Sequence, residues 1–229
     1  MPSERSNALI VVAKRPAPGR TKTRLSPPLD PEQASQLYEC FLNDTLDLIR
    51  QVDQVQPVIA FLPAGAEAYF HQLAPDFDLL QQEGPDLGAR LDNALSACLT
   101  QGYQRVVIMN SDGPTLPWRY LAQAFTALEN GSDVVLGPCE DGGYYLIGTK
   151  QPIPRLLREV HMSTPTVAAD TIALAVEEHL RLHLLPVWYD VDDAASLIRL
   201  VKEVENGDQR VAAHTRRFMA QHFSDDWLY

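Results

Sequence analysis

The chain has 229 residues, 45% hydrophobic and 21% charged, with a formal net charge of −11 at neutral pH. This is the profile of a globular chain long enough to bury a sizeable core, and so acidic a balance excludes nonspecific nucleic-acid binding, which needs an extended basic face. No stretch approaches the apolar length of a membrane span, and no signal-peptide core follows Met1-Pro2-Ser3-Glu4-Arg5.

In chain order, Ala8-Leu9-Ile10-Val11-Val12-Ala13 reads as a buried first strand. Lys14 to Arg24 follows, holding Lys14, Arg15, Arg20, Lys22 and Arg24 with no acid among them. The remainder has 14 basic and 30 acidic residues, a net of −16, so the cationic loop points to a local task. Asp30-Pro31-Glu32-Gln33 supplies an N-cap, a first-turn proline and a capping-box partner. The helix after it places Leu37, Tyr38, Phe41, Leu42, Thr45, Leu48 and Ile49 on one face. Further strands are predicted at Pro57–Phe61, Arg105–Met109, Val134–Gly137, Tyr144–Ile147 and Leu182–Pro186. Helices are predicted at Ala64–Leu73, Leu87–Leu99, Trp118–Glu129 and Thr166–Leu180, with a last pair from Ala194 onward. The alternation implies an α/β fold, a mostly parallel, Rossmann-like open sheet with helices on both faces. No repeat or linker divides the chain, so one domain over residues 1–229 is expected.

Strand followed by a glycine-containing cationic loop is where open α/β sheets bind phosphorylated ligands, at the carboxyl ends of their strands. The alternative is a solvated basic turn, against which stands the mutual repulsion of five like charges lacking an anion. A second signal is Val106-Val107-Ile108-Met109-Asn110-Ser111-Asp112-Gly113-Pro114, a buried strand ending in a carboxylate on the same sheet edge. Asp112 there suits a hard divalent cation shared with substrate phosphates, or equally caps the helix beginning near Pro117. A third is Glu140-Asp141-Gly142-Gly143-Tyr144-Tyr145, where a diglycine lets backbone approach a ligand closely and Asp-Gly also signals a hairpin. A fourth is Tyr189-Asp190-Val191-Asp192-Asp193. Asp193 reads as an N-cap, and Asp190 and Asp192 share one face of an extended segment, placed to complete a metal site. There is no Gly-x-Gly-x-x-Gly, Walker sequence or Gly-x-Ser-x-Gly setting, and a helix-to-strand boundary should separate His179 from His183. Zinc and serine-hydrolase chemistry are not expected. The three cysteines form no Cys-x-x-Cys pair, Cys40 and Cys98 fall in helical patterns as buried thiols, and a reducing cytoplasm is the expected setting.

Four segments carry a resemblance: Ala13 to Leu25, Ser111-Asp112-Gly113-Pro114, Glu140 to Gly148, and Asp190-Val191-Asp192, with Ser163-Thr164-Pro165 as a further match. They resemble a bacterial family of small GT-A-type transferases often found beside radical-SAM proteins, some assigned to arsenosugar biosynthesis. The resemblance implies a nucleotide-diphospho-sugar transferase fold, shared with molybdenum-cofactor nucleotidyltransferases and phospholactate guanylyltransferase. It implies that Ala13 lies against the base, that Arg20, Lys22 and Arg24 face the phosphates, and that Asp112 and Asp192 hold Mg²⁺ or Mn²⁺; Lys14, of the same cationic loop, is a further candidate for the nucleotide, facing either the same anion or solvent. Asn110 and Gly113 stand where glycine and cysteine are usual, and His161 where tryptophan is usual, which bears on the acceptor pocket.

The expected activity is glycosyl transfer from a nucleotide-sugar donor to a small-molecule acceptor hydroxyl, with Asp141 or Glu140 as base. The second expectation is a nucleotidylyltransferase, guanylyl- or cytidylyltransferase-like, releasing pyrophosphate. A nucleotide-binding regulatory module is the non-enzyme reading.

Overall fold

The strands alternate with helices almost throughout the computed structural model, which describes residues 6–223. The strands are β1 (Asn7–Lys14), β2 (Gln56–Leu62), β3 (Asp78–Gln81), β4 (Arg105–Met109), β5 (Val134–Pro138), β6 (Tyr144–Thr149) and β7 (Leu182–Leu184). The helices are α1 (Pro31–Ile49), α2 (Glu67–Leu73), α3 (Leu87–Thr100), α4 (Trp118–Glu129), α5 (Pro154–Arg158), α6 (Val167–Glu177), α7 (Ala194–Asn206) and α8 (Ala213–His222). One sheet runs in the order β3-β2-β1-β4-β6-β5-β7. All pairs are parallel except those made by β6, which is antiparallel to β4 and β5. The chain leaves β1 toward β2 on one side and returns to pair β4 on the other, so the topological switch lies between β1 and β4. Ligands of such sheets bind outside the carboxyl ends of the strands at that point.

The unbroken apolar run of β1, Ala8 to Ala13, explains why it is buried on both faces. Leu9, Val11 and Ala13 pack with Leu42, Leu46 and Ile49 of α1 and Leu121, Phe125 and Leu128 of α4. Ala8 and Ile10 pack on the opposite face with Leu91 and Leu95 of α3, Leu156 and Leu157 of α5 and Ala168 and Ala175 of α6. A third cluster joins Leu37, Tyr38 and Phe41 of α1 to Leu197, Leu200 and Val204 of α7 and Phe218 of α8. The capping box at Asp30 and Gln33 is formed, and the expected face of α1 is buried throughout.

β4 and α4 have the bounds expected from the sequence. The other differences have local causes. α2 begins at Glu67 rather than Ala64, because Pro63 and Gly65 (φ +84°) make a turn closed by Ala66 N–H to Pro63 O. α6 ends at Glu177, and His179 (φ 55°) turns left-handed so that Leu180 N–H reaches Ala175 O, a Schellman-type stop. β7 is short, and the expected strand to Pro186 is replaced by a single bridge between Cys139 and Trp188. The β3 edge strand and the short α5 have no counterpart in the expectations. Cys98 is buried as expected, but Cys40 is half-exposed. Among the described residues no helix is long and apolar enough to cross a membrane.

α8 lacks a side-chain cap of its own, since its N-cap is Ala212. Asp44 of α1 supplies one from a distance: Oδ1 accepts His214 N–H at 2.8 Å and Oδ2 accepts Thr215 N–H at 2.9 Å. Asp44→Ala is expected to cost about 1–2 kcal/mol, as loss of a cap does, with hydrogen exchange rising over residues 213–222 before the sheet. Urea unfolding with exchange mass spectrometry measures both, and unchanged protection of α8 contradicts this role.

Candidate active site

The carboxyl ends of β1, β2 and β4, the β5–β6 hairpin and the segments near residues 163 and 190 enclose a cavity of about 770 Å³. Of the residues singled out from the sequence, its wall includes Ala13, Lys14, Arg20, Lys22, Arg24, Asp112, Asp141, Asp190 and Asp192. Glu140 lines an adjoining cavity of about 380 Å³ that shares Arg24, Asp141, Asp190 and Asp192 with the first.

Lys22 organises the centre. Its backbone is left-handed (φ 48°, ψ 42°), after a tight turn in which Ala17 O accepts both Arg20 N–H and Thr21 N–H. This aims the ammonium inward, with Nζ 2.5 Å from Asp112 Oδ1, 2.7 Å from Asp192 Oδ1 and 2.8 Å from Val191 O. Burial opposes the charge, but Asp112 and Asp192 outweigh it and hold the Lys22 pKa above its ordinary value. The cationic loop is therefore neutralised in part by the chain's own carboxylates. Asp112 caps nothing, because α4 starts from Pro117 without a side-chain cap.

Asp190 is the third carboxylate of the group. Its Oδ2 accepts Asn110 Nδ2 at 2.7 Å and the Cys139 thiol at 3.4 Å, while its Oδ1 is buried without a hydrogen-bond partner among the described residues. Burial, then Asp112, push its pKa up to about 7. Burial, then Asp190, raise the Cys139 thiol as well. Asn110, which with Gly113 makes up the departure from the family pattern beside Asp112, thus orients Asp190, and its Oδ1 also accepts Asp112 N–H at 3.3 Å. Gly113, the other, lets Tyr189 pass: a Cβ there would lie 3.3 Å from Tyr189 O. Asp193 caps α7 as expected.

The hairpin separates the two adjacent acids. Glu140 pairs with Arg199 at 2.6 Å, and Arg199 lies 3.7 Å over the Tyr189 ring. Asp141 is exposed and accepts Gly143 N–H at 2.8 Å, which fixes its carboxylate between the two cavities. Of the diglycine, Gly143 lines the large cavity. Gly142 (φ +87°) instead passes Pro165, whose O would lie 1.8 Å from a Cβ. Tyr144 and Tyr145 both line the large cavity, and Tyr145, otherwise buried in the core, donates to Pro186 O. His161 is exposed and outside the cavity wall; its neighbour Met162 lines it instead.

Arg20 is exposed on the wall, and Arg24 reaches Asp192 at 3.6 Å with its side chain 76% exposed. Lys14 is exposed on the same wall, while Arg15 lies over the Tyr69 ring at 5.6 Å. Three residues of the site escaped the sequence reading. Tyr38, there part of an apolar helix face, takes Lys14 N–H at 3.1 Å and bonds Ser111 Oγ at 3.0 Å, joining the β1 and β4 ends. Gln82 and Arg90 line the cavity beside Leu62. Their only signal is polarity immediately after β3 and in the first turns of α3.

The carboxylates of Asp112, Asp190 and Asp192 are hard oxygen donors of the kind Mg²⁺ and Mn²⁺ take, and the orphaned Asp190 Oδ1 suits a cation. The donor set fits such an ion once the Lys22 ammonium withdraws from between Asp112 and Asp192. Among the described residues no group of three or more His, Cys, Asp or Glu is already arranged around a common ion position.

This sheet and its edge cavity have the architecture of the nucleotide-diphospho-sugar transferases. A crystal structure from Desulfovibrio desulfuricans G20 that carries that designation provisionally is 29% identical, with a TM-score of 0.89 over 97% of this chain and 96% of that one. The chain belongs to the bacterial family described as "uncharacterized protein conserved in bacteria (DUF2064)", which matches residues 45–164. A 2-phospho-L-lactate guanylyltransferase from Methanothermobacter thermautotrophicus is 32% identical over 126 residues, 53% of this chain and 53% of that protein. The chain thus spans about half the length of that relative. A glucosyl-3-phosphoglycerate synthase from Mycobacterium tuberculosis, in complex with Mn²⁺, UDP and glucosyl-3-phosphoglycerate, shares the fold at 12% identity. Its TM-score is 0.54, over 94% of this chain and 77% of that one.

Gly142 and Gly65 allow a controlled test of the hairpin packing. Both have positive φ, +87° and +84°, but a Cβ at Gly65 meets nothing within 4 Å. Each alanine variant carries the left-handed cost of about 1–2 kcal/mol; Gly142→Ala is expected to add a further 1–3 kcal/mol or so of steric strain. Denaturant unfolding of the two variants measures the difference, and equal losses contradict the close approach to Pro165.

Proposed function

We propose that the protein transfers a sugar from a nucleotide-activated donor to a hydroxyl of a small-molecule acceptor. The observation that carries this reading is Asp141: a carboxylate with no cationic partner among the described residues, oriented by Gly143 N–H, on the wall shared by the two cavities. The large cavity suits the donor, with Ala13 against the base and Lys14, Arg20 and Arg24 toward the diphosphate, where charge-assisted bonds are the strong ones. The small cavity suits the acceptor. Asp141 takes the acceptor hydroxyl proton as that oxygen bonds the anomeric carbon. The bond from that carbon to the diphosphate breaks, and its electron pair leaves with the diphosphate. Glu140 is held by Arg199 and serves the acceptor wall rather than proton transfer.

Asp112 and Asp192 would hold Mg²⁺ or Mn²⁺, which supplies positive charge against the departing diphosphate. Lys22, displaced from that pair, is within one side chain of the same phosphates and carries its charge to them.

The likeness to a guanylyltransferase favours a second reading, nucleotidyl transfer to a phosphorylated acceptor with release of pyrophosphate. Such an acceptor brings its own nucleophilic oxygen and needs no base at Asp141. The two readings part on products. Incubated with a panel of nucleotide sugars and nucleoside triphosphates, the protein is expected to release a nucleoside diphosphate; pyrophosphate from a triphosphate overturns the glycosyl reading. Asp141→Asn is expected to lower turnover by a factor on the order of 10²–10⁴, the usual share of general-base catalysis, with unchanged affinity for the nucleoside diphosphate. Unchanged turnover removes Asp141 from the chemistry.

A further inference from the structure

The end of the cavity farthest along the sheet from the carboxylates holds two polar groups that the reaction above does not use. β3, β2, β1 and β4 are consecutive in the sheet. Gln82, just past β3, therefore stands three strand spacings, roughly 14 Å, from the β4 end that carries Asp112. A nucleoside diphosphate whose phosphates lie near Asp112 lays its base along this direction, past Ala13 and Leu62.

Gln82 is 7% exposed and lines the cavity. Its Nε2 donates to Ala60 O at 2.7 Å and to Ala13 O at 3.5 Å. Carbonyl oxygens only accept, so the amide cannot be reversed. Its Oε1 is left as a pure acceptor with no hydrogen bond to another described residue. Arg90, on the first turns of α3, is a pure donor on the same wall, and its Nε–H is buried without a partner among the described residues. Gly84 holds the two together: at φ +140° it packs so closely on α3 that a Cβ would lie 2.9 Å from Arg90 N.

We infer that this wall reads the base of the nucleotide and selects one with a ring N–H beside a carbonyl, the edge shared by guanine and uracil. Gln82 Oε1 accepts the ring N–H, and the Arg90 guanidinium donates to the carbonyl. In the same pose adenine and cytosine set a ring-nitrogen lone pair against Gln82 Oε1 and an amino group against the guanidinium, acceptor against acceptor and donor against donor. The two-handed amide contact that reads adenine needs both halves of a glutamine, and the NH₂ half of Gln82 is already spent. Guanine completes the set best, offering O6 and N7 to the fork and N1–H and N2–H₂ to Oε1.

The inference rests on the nucleotide-binding reading above, and one experiment separates the two. Calorimetric titration of the intact protein with GDP, UDP, ADP and CDP in Mg²⁺ is expected to show GDP or UDP binding at least roughly tenfold tighter than ADP and CDP, the discrimination of one good base contact. The GDP and UDP arms decide which of the two oxo-bases is the ligand. Arg90→Met keeps the stem and removes an unpaired donor, so the variant is expected to fold and to lose that preference, binding GDP and UDP within roughly threefold of its own ADP and CDP affinities. ADP or CDP binding as tightly as both GDP and UDP overturns the base assignment, as does a preference that survives in Arg90→Met. Failure of all four to bind overturns the nucleotide reading itself, and the base assignment with it.

Discussion

The Lys22 ammonium holds the site together. Three chain segments that are remote in sequence meet at it: the loop after β1, the β4 end through Asp112, and the segment before α7 through Asp192 and Val191 O. Asp112, Asp190 and Asp192 without a cation between them would repel one another. The upward shift of Asp190, with Asp112 second only to burial among its causes, shows that repulsion persisting even with Lys22 in place. Asp112 O also accepts Val191 N–H at 2.9 Å, so backbone and charge fasten the same two segments. Under the proposed function, a divalent cation brought with a phosphorylated ligand would take the place that Lys22 holds.

The surrounding charge follows the same logic. The chain is strongly acidic, yet Lys14, Arg20, Arg24 and Arg90 all line the large cavity, and of these four only Arg24 has an ion-pair partner among the described residues, Asp192 at 3.6 Å. Cations gathered at the carboxyl edge of a parallel sheet raise the local concentration of anionic ligands. Asp141 and the Glu140–Arg199 pair face the smaller cavity, which Arg24 also lines. One wall suits a diphosphate and the other a hydroxylated molecule, and Asp141 stands where they meet.

Much of the fold was legible in the residues. β1 and β4 are apolar runs buried on both faces, and Asp30 and Asp193 carry unambiguous cap chemistry. β3 was not legible, because its four residues Asp78–Gln81 form a partly exposed edge with little apolar pattern. Of the site, the approach of Asp112 and Asp192 to the cationic loop was legible from the rule that ligands meet open sheets at their strand ends. That Lys22 binds those acids was not, since its partner Asp192 lies 170 residues on and no local pattern encodes the contact. Gly142 misled in the same way: a glycine signals a close approach without saying to what, and here the neighbour is Pro165.

The central claim is that Lys22 occupies the cation position formed by Asp112 and Asp192. Both carboxylates are about one-third exposed, 31% and 35%, so water can replace the lysine without unfolding the site. Titrating the nucleotide-free protein with Mn²⁺, followed by the electron paramagnetic resonance signal of the free ion, tests the claim directly. Wild type is expected to bind Mn²⁺ weakly, and Lys22→Met to bind it tighter by roughly tenfold or more, about 1.4 kcal/mol. Equal Mn²⁺ affinity in the two proteins would contradict the claim.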